Sequence, residues 1–417
     1  MADLSDKLKT LGVQIGAKNI PPRQPRRGNS IDQVIDGRVH VTPLGEAFVV
    51  ETMYPPDYRH GQVTLGLNAS LQTIAAWANE TRIAQCEPSR LVFLDTETTG
   101  LAGGMGTFAF LIGLGRFDGA VFRLTQIFMR DPIEEPAALA ALAEFLQPLD
   151  AIVTFNGKAF DAPLLRNRCI LNRHEIPFAD AAHIDLLPLA RRLWRDRLES
   201  RALGSLEQHI MGMRRTEDEV PGWLIPQMYF DYLQSGDARP MKGVLYHNAM
   251  DVVAMAALLN HIAQMLDDPF NFALEHGIDI IAIGKLFEDL GRLDDAAKLY
   301  ARGLELELSE SAFRESVRRF ANLQKRRGDM SAAIELWRSA AGTKQVYACV
   351  ELAKHYEHKT RDYAQAIEHT RAALDIVRAA DFPRDLRKLW QKDLEHRLAR
   401  LELKNKKSPA NRANQRE

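Results

Sequence analysis

Residues 90–100 read RLVFLDTETTG. Four apolar residues, Leu91 to Leu94, run without interruption into Asp95, Thr96 and Glu97, and Gly100 closes the segment. A short apolar run bounded by a turn signal predicts a buried strand with polar groups at its C-terminal end. Residues two apart on a strand share a face, so Asp95 and Glu97 project together. Two neighbouring ionised carboxylates repel each other unless a cation lies between them. Oxygen donors of this kind suit Mg²⁺ or Mn²⁺.

Downstream, TFAFLIGLGRF (107–117) and VFRLTQIFMR (121–130) flank the turn Asp118-Gly119-Ala120 and predict a hairpin against that strand. PAALAALAEFLQPL (136–149) has helical periodicity, AIVTFNG (151–157) reads as a second buried strand, and the segment after Phe160 reads as helix. HIDLLPLARRLW (183–194) reads as a strand end running into a helix. The order of three strands, helix, strand, helix predicts a mixed α/β sheet, antiparallel at one end.

Two further acidic positions lie in this region. In FNGKAFDAPLL (155–165), Asp161 stands near a helix start, where it reads equally as a capping residue or a ligand. In YHNAMDVVAMAALL (246–259), Asp251 sits on a strongly apolar helix with His247 one turn earlier on the same face. A carboxylate on so apolar a segment needs a partner or a metal. His247 alone reads as a structural histidine, and Asn248 equally as a surface amide. Asp185, at a strand end, reads as a cap, as an ion-pair partner of Arg191 or Arg192, or as support for the other carboxylates.

D-x-E on a first strand, N-x-x-x-F-D after a later strand and H-x-x-x-D on a late helix, in this order, resemble the DEDD-type 3′–5′ exonucleases, which have a ribonuclease H-like fold. The resemblance spans about residues 85–265. It implies that Asp95, Glu97, Asp161 and Asp251 hold two divalent metals, Mg²⁺ or Mn²⁺, and that a nucleic-acid strand is degraded from its 3′ end. Thr98, Thr99, Gly100 and Leu101 are expected to contact the substrate strand, with the backbone near Gly100 close to the terminal nucleotide; Asn156 is expected to bind the sugar or to orient Asp161, and Tyr246 to line the cleft. The water-activating position departs from the pattern. The tyrosine subclass has Tyr four residues before the last Asp, where His247 stands; the histidine subclass has His five before it, where Tyr246 stands. His247 is the expected general base, because an imidazole titrates near pH ~6.5. With the upstream YPPDYRHG (54–61) and the C-terminal helices, nearly the whole chain resembles the YprB-type family of bacterial proteins.

Beyond residue 275 strand signals vanish. Small residues Ala296, Ala333 and Ala366 recur at a spacing of about 34, each within a helical unit, as in tetratricopeptide repeats. Such repeats predict a concave surface for a protein partner. The expected divisions are an N-terminal basic arm with accessory strands (1–84), the ribonuclease H-like domain (85–268), the repeats (269–385), and a terminal helix with a basic disordered tail (386–417).

With 417 residues, two or three domains are expected at about 150 residues each. Lys and Arg total 54 against 55 Asp and Glu, which excludes a polybasic nucleic-acid coat; affinity for nucleic acid must come from local patches or bound metal. Cys86, Cys169 and Cys349 are scattered, which argues against a disulfide framework or a structural zinc site. The charged N-terminus lacks the apolar core of a signal peptide, and the apolar stretch Thr107–Leu114 is far shorter than the ~20 residues of a membrane span. Cytoplasmic placement and no membrane partner are the resulting expectations.

Overall fold

The computed structural model describes residues 28–100, 106–215 and 219–407. Leu101, the basic arm before residue 28 and the tail after Lys407 lie outside the described residues. Seven strands form one mixed sheet in the order β1-β2-β7-β6-β5-β8-β9. These are β1 Arg38–Thr42, β2 Gly45–Tyr54, β5 Leu91–Thr98, β6 Ala109–Asp118, β7 Val121–Phe128, β8 Ala151–Thr154 and β9 Ala182–Asp185. A separate two-stranded ribbon pairs β3 Arg59–His60 with β4 Val63–Thr64.

The strand that opened the sequence reading, β5, separates the two modes of pairing. On one side it runs antiparallel to β6, with Asp95 opposite Gly113 and Glu97 opposite Leu111. On the other it runs parallel to β8, with Leu91 opposite Ala151. Burial on both faces explains why residues 91–94 are uninterruptedly apolar: all four are at most 1% exposed. Helices α1 Glu135–Phe145, α2 Asp161–Leu171, α3 Leu203–His209, α4 Ile225–Ser235 and α5 Met241–Asp267 accompany the sheet in sequence. The result is the ribonuclease H-like architecture that the motif order implied.

Two expectations require correction. RVHVT (38–42) and AFVVE (47–51), the accessory strands expected within residues 1–84 to pack against the next domain, do not form a layer of their own. They extend the same sheet, because β2 pairs antiparallel with β7 from Phe48–Phe128 to Tyr54–Phe122. Their alternating pattern suits an edge, where Val39 and Val41 remain exposed while Phe48 and Val49 enter the core. Among the described residues, the segment that meets the length and apolarity of a membrane span is α5, not Thr107–Leu114. It is long and apolar enough to cross a membrane by length and composition, yet 83% of its apolar window is buried within the protein, as in a core helix.

The chain divides into two compact units that are not contiguous in sequence. One takes the described residues up to Gly66 with Cys86–Asp185 and Glu207–Leu258; the other takes Leu67–Gln85, Leu186–Leu206 and the chain from Leu259 onward. The boundaries expected at 84/85 and 268/269 differ from these. In the second unit, described residues from Gly277 to Lys407 are all-helical. Helices pack in consecutive pairs: Gly277–Asp289 with Leu293–Leu304, Glu310–Arg327 with Met330–Gly342, and Val346–His355 with Tyr363–Arg378. Ala296, Ala333 and Ala366 are each fully buried near the start of the second helix of a pair, where a larger side chain would hold the pair apart. Asp329 and Asp362 cap two of these second helices by accepting from the amides of Ala332 and Gln365. The segment Lys404–Lys407, expected as tail, completes the terminal helix Arg384–Lys407.

Candidate active site

Asp95, Glu97, Asp161 and Asp251 come from three elements of the first unit: the end of β5, the first residue of α2 and the middle of α5. Glycine makes this convergence possible. A side chain at Gly113, opposite Asp95, would stand 2.3 Å from Asn248 Oδ1 and 2.9 Å from Val252, so α5 lies directly over β6. Asn248 Nδ2 then donates to Asp95 Oδ2 at 2.8 Å. Gln126 Nε2 fixes that amide by donating to Asn248 Oδ1 at 2.9 Å and to the Leu245 carbonyl at 2.8 Å. Asn248 is completely buried, so the surface-amide reading does not hold.

On the other side of β5, Thr96 Oγ1 donates to Asp161 Oδ1 at 2.5 Å. The loop before Asp161 is held by Asp185, whose two oxygens accept from the amides of Asn156 (2.8 Å) and Lys158 (3.1 Å). Asp185 therefore supports the carboxylates through this loop. Asn156 adopts a left-handed φ of 67°, a conformation asparagine tolerates better than most residues.

The electrostatics identify the four carboxylates as one group. Burial, then the charges of Asp251, Glu97 and Asp161, hold the Asp95 carboxyl well above its ordinary value. Burial, Asp251 and Asp161 push Glu97 up to about 8, against an opposing pull from Arg215. Burial is the main cause that raises Asp161 to about 6, with its Thr96 hydrogen bond acting against it. Asp95 and Glu97 are each costly to ionise beside the other carboxylates.

Arg215 is the residue that sequence reasoning missed. Its guanidinium donates to Glu207 at 2.5 Å and also to Glu219 and Asp251. Burial alone would lower its basicity, but the Asp251 and Glu207 charges more than reverse this. Glu207 is fully buried and is 2.7 Å from His60 Nε2, which is fully buried too. His60 thus gives YPPDYRHG a place beside the site. His247 lies with Nε2 3.7 Å from Asp251 Oδ2 and Nδ1 3.1 Å from Glu219 Oε1, the latter at ion-pair distance without hydrogen-bond alignment. Tyr246 lies within electrostatic range of Tyr54 and Tyr58, whose rings meet edge to face at 4.7 Å.

A cavity of about 410 Å³ opens beside Asp161, lined by Thr96, Thr98, Gly100, Phe160 and Asn167 among others. Of the expected substrate contacts, Thr98 and Gly100 line it. The Thr98 hydroxyl donates to the Gly100 carbonyl at 3.0 Å, and the Thr99 hydroxyl accepts from the Phe108 amide at 3.2 Å, so both also shape the turn. Phe160, at the rim, is 56% exposed. Trp194 is buried in the core, and Arg192, one of the candidate ion-pair partners of Asp185, pairs with Asp289.

Among the described residues no group of three or more His, Cys, Asp or Glu is already arranged to hold a metal ion. The chemistry of the donors nevertheless fits a hard divalent cation: four carboxylates converge from three elements, and the charges of Asp251 and Asp161 make Asp95 and Glu97 costly to ionise, which a cation would relieve.

Comparison with known proteins agrees with this geometry. Residues 92–263 match the RNase_H_2 family model of the RNase_H superfamily, so the stretch that supplies Asp95, Glu97, Asp161 and Asp251 is a nuclease-type domain. A family B DNA polymerase from the hyperthermophilic archaeon Pyrobaculum calidifontis aligns over 52% of this chain and 29% of its own, at 16% identity and a TM-score of 0.33. That likeness is too distant to carry an argument. The "uncharacterized protein YprB" of Bacillus subtilis (strain 168) is 31% identical over 332 residues, covering 76% of this chain and 78% of its own. With identity at that level over three quarters of both sequences, the chain belongs to the YprB family.

Proposed function

We propose that the protein is a metal-dependent 3′–5′ exonuclease that hydrolyses phosphodiester bonds of single-stranded DNA or RNA. The observation that carries this reading is the convergence of Asp95, Glu97, Asp161 and Asp251 from three elements, where the charges of Asp251 and Asp161 make Asp95 and Glu97 costly to ionise. These are the residues that would hold two ions, Mg²⁺ or Mn²⁺. Bound there, divalent ions supply Lewis acidity for the phosphoryl oxygens and acidify an attacking water.

The chain's own residues do the remaining work. His247, beside Asp251, accepts the proton of the water or orients it. Asn248 and Thr96 fix the carboxylate rotamers of Asp95 and Asp161, so little reorganisation is needed during reaction. The cavity beside Asp161 receives the terminal nucleoside, with Phe160 as a stacking platform for its base. Stacking on an aromatic is worth about 1–3 kcal/mol per base. Phe160→Ala is therefore expected to raise KM for a short oligonucleotide about tenfold with kcat changed little, as steady-state kinetics would measure. An unchanged KM would remove Phe160 from the substrate path.

The paired helices of the second unit are proposed as tetratricopeptide-like repeats that recruit a protein partner, in the cytoplasm. A second reading, a catalytically weak nucleic-acid-binding scaffold, draws support from the ion pair that Arg215 makes with Asp251. One experiment separates the two. Purified protein is incubated with a 5′-labelled single strand, DNA and RNA in parallel, and Mn²⁺ or Mg²⁺. A metal-dependent ladder that shortens from the 3′ end supports the exonuclease. Binding without cleavage under either metal favours the scaffold, and cleavage of a circular strand would make the enzyme an endonuclease.

A further inference from the structure

The backbone at Gly222 faces His247. A side chain there would lie 3.8 Å from His247 Nε2 and 4.0 Å from Cε1, in van der Waals contact with the imidazole. Trp223 follows, and it is 75% exposed. A lone exposed apolar residue is ordinary on a protein surface. What sets Trp223 apart is where it stands and how firmly its backbone is held. Pro221 and Pro226 bracket it, each with φ fixed by its ring. Between them Gly222–Leu224 form one 3₁₀ turn, in which the Leu224 amide donates to the Pro221 carbonyl at 2.9 Å. On one side of this turn Val220 packs on α5, where a side chain at Gly243 would stand 2.5 Å from Val220 Cγ2. On the other, Ile225 and Tyr229 of α4 are fully buried, and the Tyr229 hydroxyl donates to the Met129 carbonyl at 3.0 Å.

A second exposed aromatic, Phe160, adjoins Asp161 at the start of α2. The two aromatics are linked through the carboxylates: Asp161 and Asp251 both act on Glu97, Asp251 lies 3.7 Å from His247, and His247 faces the turn that carries Trp223. Phe160 borders a cavity, which suits the end of a chain. Trp223 stands on open surface, which suits a strand that continues. We propose that Trp223 stacks on the base of a nucleotide 5′ of the scissile phosphate, so that the strand is gripped by bases at both ends of the carboxylate group. Every base has a face to stack, so the grip tolerates any sequence. A base held on a side chain cannot be paired, so the grip selects an unpaired 3′ end over a closed duplex. The inference rests on the proposed reading that the carboxylates hydrolyse a strand from its 3′ end.

The test is the initial rate of hydrolysis by the full chain with Mn²⁺, well below KM, of 5′-labelled single strands that carry one abasic site at each of the last few positions in turn. For the natural protein, an abasic site at one internal position is expected to lower kcat/KM about tenfold, the scale of one stacked base. Trp223→Ala should lower kcat/KM for the intact strand about tenfold, and the same internal abasic site should then cost nothing further. An abasic site at the 3′ terminus, which faces Phe160, should be penalised in both proteins alike. Trp223→Leu, apolar but without an aromatic face, should behave as Trp223→Ala and replaces it if that variant does not fold; Trp223→Phe should keep most of the rate. A scan in which the natural protein penalises no internal position overturns the proposal whatever the variants do. So does an internal penalty that a folded Trp223→Ala or Trp223→Leu leaves undiminished. Both results leave the exonuclease reading standing. If the natural protein shows no metal-dependent hydrolysis from the 3′ end, that reading falls and the proposal falls with it.

Discussion

Asp95→Asn is expected to reduce oligonucleotide hydrolysis about a thousandfold or more while leaving the melting temperature equal to or above that of the natural protein. The two effects have one cause. Asp95 stands at the end of a strand whose preceding residues are wholly buried, with Asn248 bonded to one carboxylate oxygen. Its charge is held there against burial and against Asp251, Glu97 and Asp161. An amide of the same shape keeps an acceptor for Asn248 and removes one of the repelling charges, so folding does not suffer. The same change removes an anionic oxygen donor, for which an amide is a poor replacement toward a divalent ion. Steady-state hydrolysis of a labelled strand and a thermal melt on the same preparation decide the matter. Turnover near that of the natural protein would show that the site is misassigned, and a collapse of melting temperature would make Asp95 a structural residue.

The legible part of this site is the part written in local pattern. Leu91–Leu94 followed by Asp95 and Glu97 needs no partner to be read as a strand end, because burial on both faces dictates a continuous apolar run. Asp251 was legible for the complementary reason that a carboxylate on an apolar helix demands an explanation. Asn248 was not, although it lies on the same helix. Its burial depends on how closely α5 approaches β6, which is set by Gly113, more than a hundred residues earlier. Arg215 was still less legible. It lies in a segment without periodicity, and its partners Glu207, Glu219 and Asp251 share no repeat spacing. The interleaving of the two compact units was likewise hidden, because compactness is a property of contacts between distant segments. The resemblance to exonucleases supplied the list of carboxylates, but the groups that orient them had to come from packing.

The burial and crowding of these carboxylates make a second strong prediction, about stability without catalysis. Glu97 is raised from 4.5 to about 8 and Asp161 from 3.8 to about 6, chiefly by burial. A carboxyl whose folded pKa lies above its unfolded one binds more protons in the folded state across that interval. Folding stability from these groups therefore falls as pH rises, from about pH 4 to 6 for Asp161 and from about pH 4.5 to 8 for Glu97. Below the interval both states are protonated and the penalty is absent; above it the penalty is complete. A divalent cation that binds the ionised carboxylates reverses the penalty, because a ligand at 100 times its Kd stabilises by about 2.7 kcal/mol. The expected result is a rise in melting temperature of about 3–5 °C on adding Mn²⁺ at pH 8 and a clearly smaller rise at pH 6, where protons compete for the same oxygens. Glu97→Gln is the decisive control. It removes the group that titrates highest, so the metal-free protein should lose much of its decline in stability between pH 6 and 8. If the natural protein and Glu97→Gln show the same pH dependence, Glu97 does not sit among repelling charges, and the electrostatic case for a cation site fails independently of any activity measurement.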